Sequence, residues 1–278
     1  MNMDWTVFFQ DEGNAFFYII LILLALFFVW ERISPFRGRI LPGVLRIPNN
    51  LVLGLLSALL ARLPYPLAEL GASELAQRFH FGLFNWIEVP RVFSLIFTVL
   101  VLDWVLYYQH RALHFFRYLW KTHRVHHMDL ETDVTTGLRF HPLETLANLF
   151  VKILAVIFLG ASLPAVLAFE LIFVGALLWT HANIRIPKSF EKSLRSLWVT
   201  PDMHRIHHSC LRDETDSNFG FIFSIWDRLQ GTYRGEPKAD PAGMKLGVEG
   251  FRDSKYLRLG PLLNIPFEDE KGARPGEN

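Results

Sequence analysis

The stretch HRALHFFRYLWKTHRVHH, from His110 to His127, sets five imidazoles in eighteen residues, and its HRxHH pattern returns at HRIHHS, from His204 to Ser209. His110 and His114 stand at i, i+4. His123, His126 and His127 stand at i, i+3, i+4, and His204, His207 and His208 repeat that arrangement. On a helix these spacings share a face, so several rings can reach one ion. Imidazoles crowded together are poorly solvated and repel one another once protonated. A divalent cation removes both problems, and neutral imidazole is a good ligand for Fe, Zn or Cu. The eight clustered histidines exceed the four ligands of one tetrahedral zinc and the two of one haem. They suit two metal ions, which the repeated spacing favours over scattered structural histidines. His141, in RFHPLE, precedes Pro142 at an expected helix start, so its ring can turn back toward the site. His181, in WTHANI, closes an apolar segment and is a further expected ligand. His80 stands apart, as a solvent-facing or interfacial residue.

Other chemistries are excluded by what is missing from the sequence. There is no HExxH, so a zincin protease lacks its base. No carboxylate falls inside the clusters, unlike the Glu/Glu-x-x-His di-iron bundles. The single cysteine, Cys210, allows neither a disulfide nor a Cys-ligated zinc or iron–sulfur site within one chain. With no GxGxxG or Walker loop, any redox work draws its electrons from another protein. Asp103 precedes His110 by about two helical turns, with Tyr107 between them on the same face. It is the candidate carboxylate to accept an N–H from a ligating ring and fix its tautomer.

The elements that carry these residues are apolar. The 278-residue chain is 51% hydrophobic with 25 Phe and 8 Trp, and its mean hydropathy is +0.23. Its net charge of +1, with no basic stripe, gives no reason to expect nucleic acid. Five segments stand out, at 15–30, 50–70, 89–108, 146–159 and 164–180. Several approach the ~20 residues that cross a bilayer as a helix. The last two are split only by GASLP and read as a tight helical hairpin that dips into the bilayer or crosses it. A buried soluble helix is the alternative for any one segment, but not readily for five. Glu170 lies inside the fifth, where an ionisable group is costly and functional by default. Its expected partner is an aqueous cavity or Lys152.

Loop charge sets the orientation. Asp4, Asp11 and Glu12 precede the first segment, whereas Arg32, Arg37, Arg39 and Arg46 follow it. The positive-inside rule puts the N-terminus outside and the arginines in the cytoplasm. That polarity also argues against a cleaved signal peptide. Counting crossings from there brings every clustered histidine, with His141 and His181, to the cytoplasmic face and leaves His80 opposite. The tail EDEKGARPGEN has the composition of a disordered segment.

The set HRALH, HRVHH, HPLE, HAN and HRIHH resembles the fatty acid hydroxylase/sterol desaturase superfamily of membrane di-iron enzymes. The likeness runs from about Asp103 to Tyr233 and includes DSNFGFIFSIWDRLQGTY, similar to that family's closing segment. It implies an all-α, multi-pass membrane bundle of four to five apolar helices under a cytoplasmic histidine-rich cap with a di-metal centre. It implies two iron ions, O2 as co-substrate, and hydroxylation or desaturation of a lipid C–H bond. The family's ligands fall on His110, His114, His123, His126, His127, His204, His207 and His208. HPLE and HAN fall on His141 and His181, with Asn183 joining Asp103 as a candidate catalytic neighbour. An external donor, ferredoxin or cytochrome b5-like with a reductase, is expected. So is a bacterial inner membrane, since there is no fused cytochrome b5 domain and no C-terminal lysine retrieval signal. The expected division is 1–88 for membrane helices and loops, 89–240 for the catalytic unit and 241–278 for a tail. A non-enzymatic membrane zinc protein and a haem electron carrier are the competing readings. The motifs leave the lipid itself open.

Overall fold

The computed structural model describes residues 5–39, 41, 43–62 and 69–268. Three helices begin the chain: α1 (Trp5–Ile33), α2 (Gly43–Arg62) and α3 (Glu69–Arg78). A single turn, α4 (Leu83–Trp86), leads to α5 (Arg91–Phe115) and α6 (Arg117–His127). The hairpin α7 (Pro142–Leu159) and α8 (Leu163–His181) follows. Five short helices close the fold: α9 (Lys188–Leu194), α10 (Pro201–His207), α11 (Arg212–Thr215), α12 (Ile225–Gln230) and α13 (Leu259–Asn264). The fold is all-α; among the described residues there are isolated bridges and no strand.

Among the described residues, five helices are long and apolar enough to cross a membrane: Ala15–Ile33, Gly43–Ala61, Arg91–Phe115, Pro142–Leu159 and Leu163–His181. Their outward faces carry exposed Ile22, Leu26, Leu55, Phe93, Phe150 and Phe158. Apolar surface on that scale suits hydrocarbon rather than water. Their inward faces bury Leu102, Leu106, Val156, Leu159, Val166 and Phe169 in one core between α5, α7 and α8.

The expected segments shift at their ends. The third runs on to Phe115, so His110 and His114 ride on the spanning helix itself. The second begins at Gly43, although Pro48 removes a hydrogen bond near its start; of its expected stretch 50–70, residues 63–68 lie outside the described residues and 69–70 belong to α3. So does the tail from 269 onward. Pro142 at the first turn starts α7 earlier than its apolar run does. The turn between α7 and α8 hinges on Gly160, at φ 62. A Cβ there would meet the Phe81 carbonyl oxygen at 2.8 Å, so only glycine lets the two hairpins approach.

On the side carrying the histidines, the segment after α6 is held by a buried polar network. Arg46 of α2 donates to Asp129 at 2.8 Å and also to Asp133, while Asn50 donates to Asp129 at 3.1 Å. Arg139 donates to Asn50 and to the Val125 carbonyl, both at 2.8 Å. Residues 241–268 do not trail away. Phe251, Tyr256, Leu262 and Ile265 pack with Leu53, Val125 and Met128 into a second core.

Between the spanning helices, Lys152 of α7 lies 2.6 Å from Glu69 of α3 and 2.9 Å from Glu170 of α8. Lys152 is therefore the partner of Glu170. Lys152→Met would leave two carboxylates facing each other in an apolar bundle, at a cost of about 3 kcal/mol or more. We expect a clearly lower melting temperature for Lys152→Met in detergent or lipid, and a much smaller shift for Glu170→Gln.

Candidate metal centre

Nine histidines converge in two groups: His110, His114, His123, His127 and His207 in the first, and His126, His181, His204 and His208 in the second. Within each, one ligating atom per residue lies within 4.8 Å of every other. The split follows helix geometry. On α6, His123 and His127 are four residues apart and aim together, whereas His126 is turned by about 100° from His127. The second motif mirrors the first. His204 and His208 enter one group together and His207 crosses to the other. Each HRxHH therefore gives a pair to one group and a single ring to the other. The groups touch, with His127 and His208 stacked at 4.6 Å.

Local sequence sets each ring. Thr200 caps α10 and Pro201 opens it, which fixes the face that His204 and His207 present. The arginine inside each motif points away from the rings. Arg124 donates to the carbonyls of Ile265 and Glu268; Arg205 donates to Asp202 of its own helix at 2.6 Å and lies 4.1 Å over the Phe36 ring. At Gly137 a Cβ would lie 2.6 Å from the Leu177 carbonyl oxygen and 3.3 Å from His181 Nδ1. Glycine there lets the 134–138 turn close onto the end of α8.

The outer ring nitrogens decide what the inner ones can do. His110 Nδ1 donates to the Phe219 carbonyl and His207 Nδ1 to the Ser217 carbonyl, each at 2.8 Å. A carbonyl only accepts, so the proton sits on Nδ1 and each Nε2 carries a bare lone pair. Those two Nε2 atoms face each other at 3.0 Å. Protonating one would make a hydrogen bond, but burial first, then the neighbouring His123, push His207 down to about 3. Burial and the surrounding imidazoles likewise hold His126, His127, His204 and His208 well below the ordinary range. At neutral pH these five rings are neutral, and the Nε2 lone pairs of His110 and His207 oppose each other. A cation between them resolves the conflict.

In the second group one ring, His181, is held in this way. His181 Nδ1 donates to the Leu177 carbonyl at 2.7 Å, and its Nε2 lies 3.0 Å from those of His126 and His204. His208 Nε2 follows at 3.2 Å. Both donor sets fit a metal ion.

Three expected site residues do other work. His141 joins neither group. Its Nδ1 accepts from the Leu143 N–H as the cap of α7, and its Nε2 donates to the Leu263 carbonyl at 3.2 Å. Both ring nitrogens are thus occupied, which corrects its reading as a ligand. Asp103 does not touch a ligating ring. It accepts from the N–H groups of Ile222 and Phe223 and from Trp226 Nε1. Asn183 is bonded through its side chain to both backbone groups of Arg37. It pins the loop after α1 and offers nothing to the site. His80 is exposed.

The carboxylate that does hold a ligating ring is Glu144, which accepts from His123 Nδ1 at 2.7 Å. HPLE carried it in the sequence, three residues after His141. Asp227 acts one step further out, accepting from the Phe219 and Gly220 N–H groups at 2.8 and 2.9 Å. With Asp103 it fixes the loop whose Phe219 carbonyl orients His110.

The sequence profile of the family described as fatty acid hydroxylase matches residues 95–232. An ornithine lipid hydroxylase of Rhizobium tropici is 30% identical over 189 residues, which is 67% of this chain and 54% of that protein. Alkylglycerol monooxygenase of Homo sapiens is 28% identical over 155 residues, 55% of this chain and 33% of its own length. Methylsterol monooxygenase 2-2 of Arabidopsis thaliana is 28% identical over 162 residues, 58% of this chain and 59% of its own. The chain spans about half the length of the curated relatives it matches. No solved structure matches it.

Removing Glu144 frees the His123 ring to rotate and to change tautomer. Glu144→Ala should weaken metal retention about 10–100-fold, with Glu144→Gln intermediate, because an amide oxygen still accepts from Nδ1. Competition with a chelator at matched protein folding reads the effect.

Proposed function

From the premise that this chain is an integral membrane protein belonging to the fatty acid hydroxylase superfamily, we propose that it is a di-iron oxygenase. In this reading it uses O2 to hydroxylate or desaturate an alkyl C–H bond of a lipid or sterol-like substrate. The observation that carries the reading is the pair of buried imidazole groups at the ends of spanning helices. Five nitrogens in the first group exceed the four of a closed structural zinc site. The relatives' names, which speak of hydroxylation of a lipid and of monooxygenases for an alkylglycerol and a methylsterol, support a lipid substrate and favour oxygen insertion.

An iron pair, when bound, supplies the redox chemistry that activates O2 for attack on an unactivated C–H bond. The protein's own residues do the rest. His110, His114, His123, His127 and His207 would hold one ion, and His126, His181, His204 and His208 the other. Glu144 and the carbonyls of Phe219, Ser217 and Leu177 keep protons on Nδ1, which leaves Nε2 free to ligate. Phe140 stacks on His126 at 4.6 Å and Phe221 on His110 at 4.8 Å, so apolar rings shield the site from water. The spanning helices let a lipid approach sideways without leaving the bilayer. We assign the catalytic unit to 89–240, membrane helices to 1–88 and a closing segment to 241–278. Electrons come from an external ferredoxin or cytochrome b5-like partner. The site faces the cytoplasm of a bacterial inner membrane, a reading supported by the arginine-bearing loop after α1, where Arg185 N–H bonds the Ser34 carbonyl at 2.9 Å.

Lipid extracts of bacteria expressing the wild type or His207→Ala at matched levels test this. Mass spectrometry should find one lipid class gaining an oxygen atom, or losing a pair of hydrogens, only with the wild type. Identical lipid profiles would contradict the reading.

A further inference from the structure

The nine convergent histidines are not equally sealed. His114 is 8% exposed as a residue and 3% in its side chain, whereas the other eight are at 2% or less as residues. Its Nδ1 lies 3.4 Å from Asp216, and its buried Nε2 has no hydrogen-bond partner. What covers it is Trp120, a half-buried ring whose centroid lies 5.0 Å from His114, 5.4 Å from His127 and 6.2 Å from His123. One side chain thus lies across three ligands of the first group.

Trp120 differs from the other aromatic covers in what holds it. Phe221 belongs to the core between α5 and α8, and Phe140 is held under α2, where Ser57 Oγ donates to its carbonyl at 2.8 Å. The indoles of Trp179 and Trp226 are tethered through Nε1 to the Val199 carbonyl and to Asp103. No hydrogen bond tethers the Trp120 indole among the described residues, so packing alone keeps it closed. A ring held in that way can swing.

The surroundings say what comes through. Trp120 sits just past the corner where α5 ends, and Phe116 takes an extended conformation there, at φ −86 and ψ 123. Phe115, Phe116 and Tyr118 stand on that corner, with Phe115 76% and Tyr118 82% exposed. The corner is the end of a membrane span, where exposed aromatics meet lipid. Phe97, Trp104, Tyr108 and Phe115 are spaced at i, i+7, i+11 and i+18, which at about 100° per residue is one face of α5. All four are exposed. An apolar stripe therefore runs along the exposed side of α5 to the corner that precedes Trp120 in the chain.

We propose that Trp120 is a hinged cover over the first imidazole group, and that the aromatic stripe on α5 guides an alkyl chain from the bilayer to it. The inference rests on the proposed function and names the route its substrate takes.

The test uses full-length, metal-loaded protein in lipid nanodiscs, as wild type, Trp120→Phe and Trp120→Ala. The first readout is the rate at which 2,2′-bipyridine, a small apolar chelator, strips the metal. We expect it to rise severalfold for Trp120→Ala and by a smaller factor for Trp120→Phe, which serves if the alanine variant does not fold. The second is the position of the oxidised carbon, which should spread over neighbouring carbons in Trp120→Ala. Unchanged stripping rates and unchanged product in folded variants would overturn the proposal. Slower reduction by the electron donor at an unchanged stripping rate would overturn it too, and would give the corner to a redox partner. A wild type that oxidises no lipid would end the proposed function, while the stripping rates would still decide whether Trp120 covers the ions.

Discussion

Two unprotonated ring nitrogens facing each other at 3.0 Å, those of His110 and His207, are the constraint from which the rest of this structure follows. In each ring the proton sits on the Nδ1 that donates to a carbonyl, which leaves Nε2 as the unprotonated nitrogen. Burial opposes the charged form of the His207 ring. A cation between the two nitrogens resolves the conflict, and in the four-ring group His181 faces its neighbours in the same way. The protein is thus an apolar bundle that brings nine imidazoles to one place.

That delivery explains where the buried polar groups are used. The spanning helices bring three of the convergent rings to their ends: His110 and His114 on α5 and His181 on α8. The other six stand on short helices that cannot hold a position by themselves, so each is tied down. Arg124 binds its motif to the closing segment and Arg205 lies over the Phe36 ring, while Asp103 and Asp227 fix the loop that carries the Phe219 carbonyl. Glu31 of α1 accepts from the N–H groups of Val134 and Asn183, both at 2.7 Å, and so joins the first helix to the site. Removing such an anchor would act through the ligands it positions rather than through the chemistry itself.

Much of this was legible in the sequence, for physical reasons. Apolar runs near the length of a bilayer crossing identify the spanning helices whatever their packing, and i, i+4 spacing identifies rings that aim together. Counting crossings put all the clustered histidines on one side of the bundle, where they converge. What could not be read are relations across the chain. The division of each HRxHH between two groups depends on where α6 and α10 meet, and the carbonyls of Phe219, Ser217 and Leu177 carry no side-chain signal at all. His141 misled because a histidine before proline suits a helix cap as well as a ligand. Asp103 misled because its helical register suggested a partner on its own helix, while its carboxylate reaches a loop about 120 residues away. Glu144 was visible in HPLE, but its partner was not.

The claim of two separate ions held by interleaved motifs is open to a direct count. Elemental analysis of folded protein from iron-replete cells, wild type beside His181→Ala, measures it. His181 belongs only to the four-ring group, whose three other rings all come from the HRxHH motifs. The account predicts about two iron ions per wild-type chain and about one in the variant. A folded wild type holding one ion or none would contradict it.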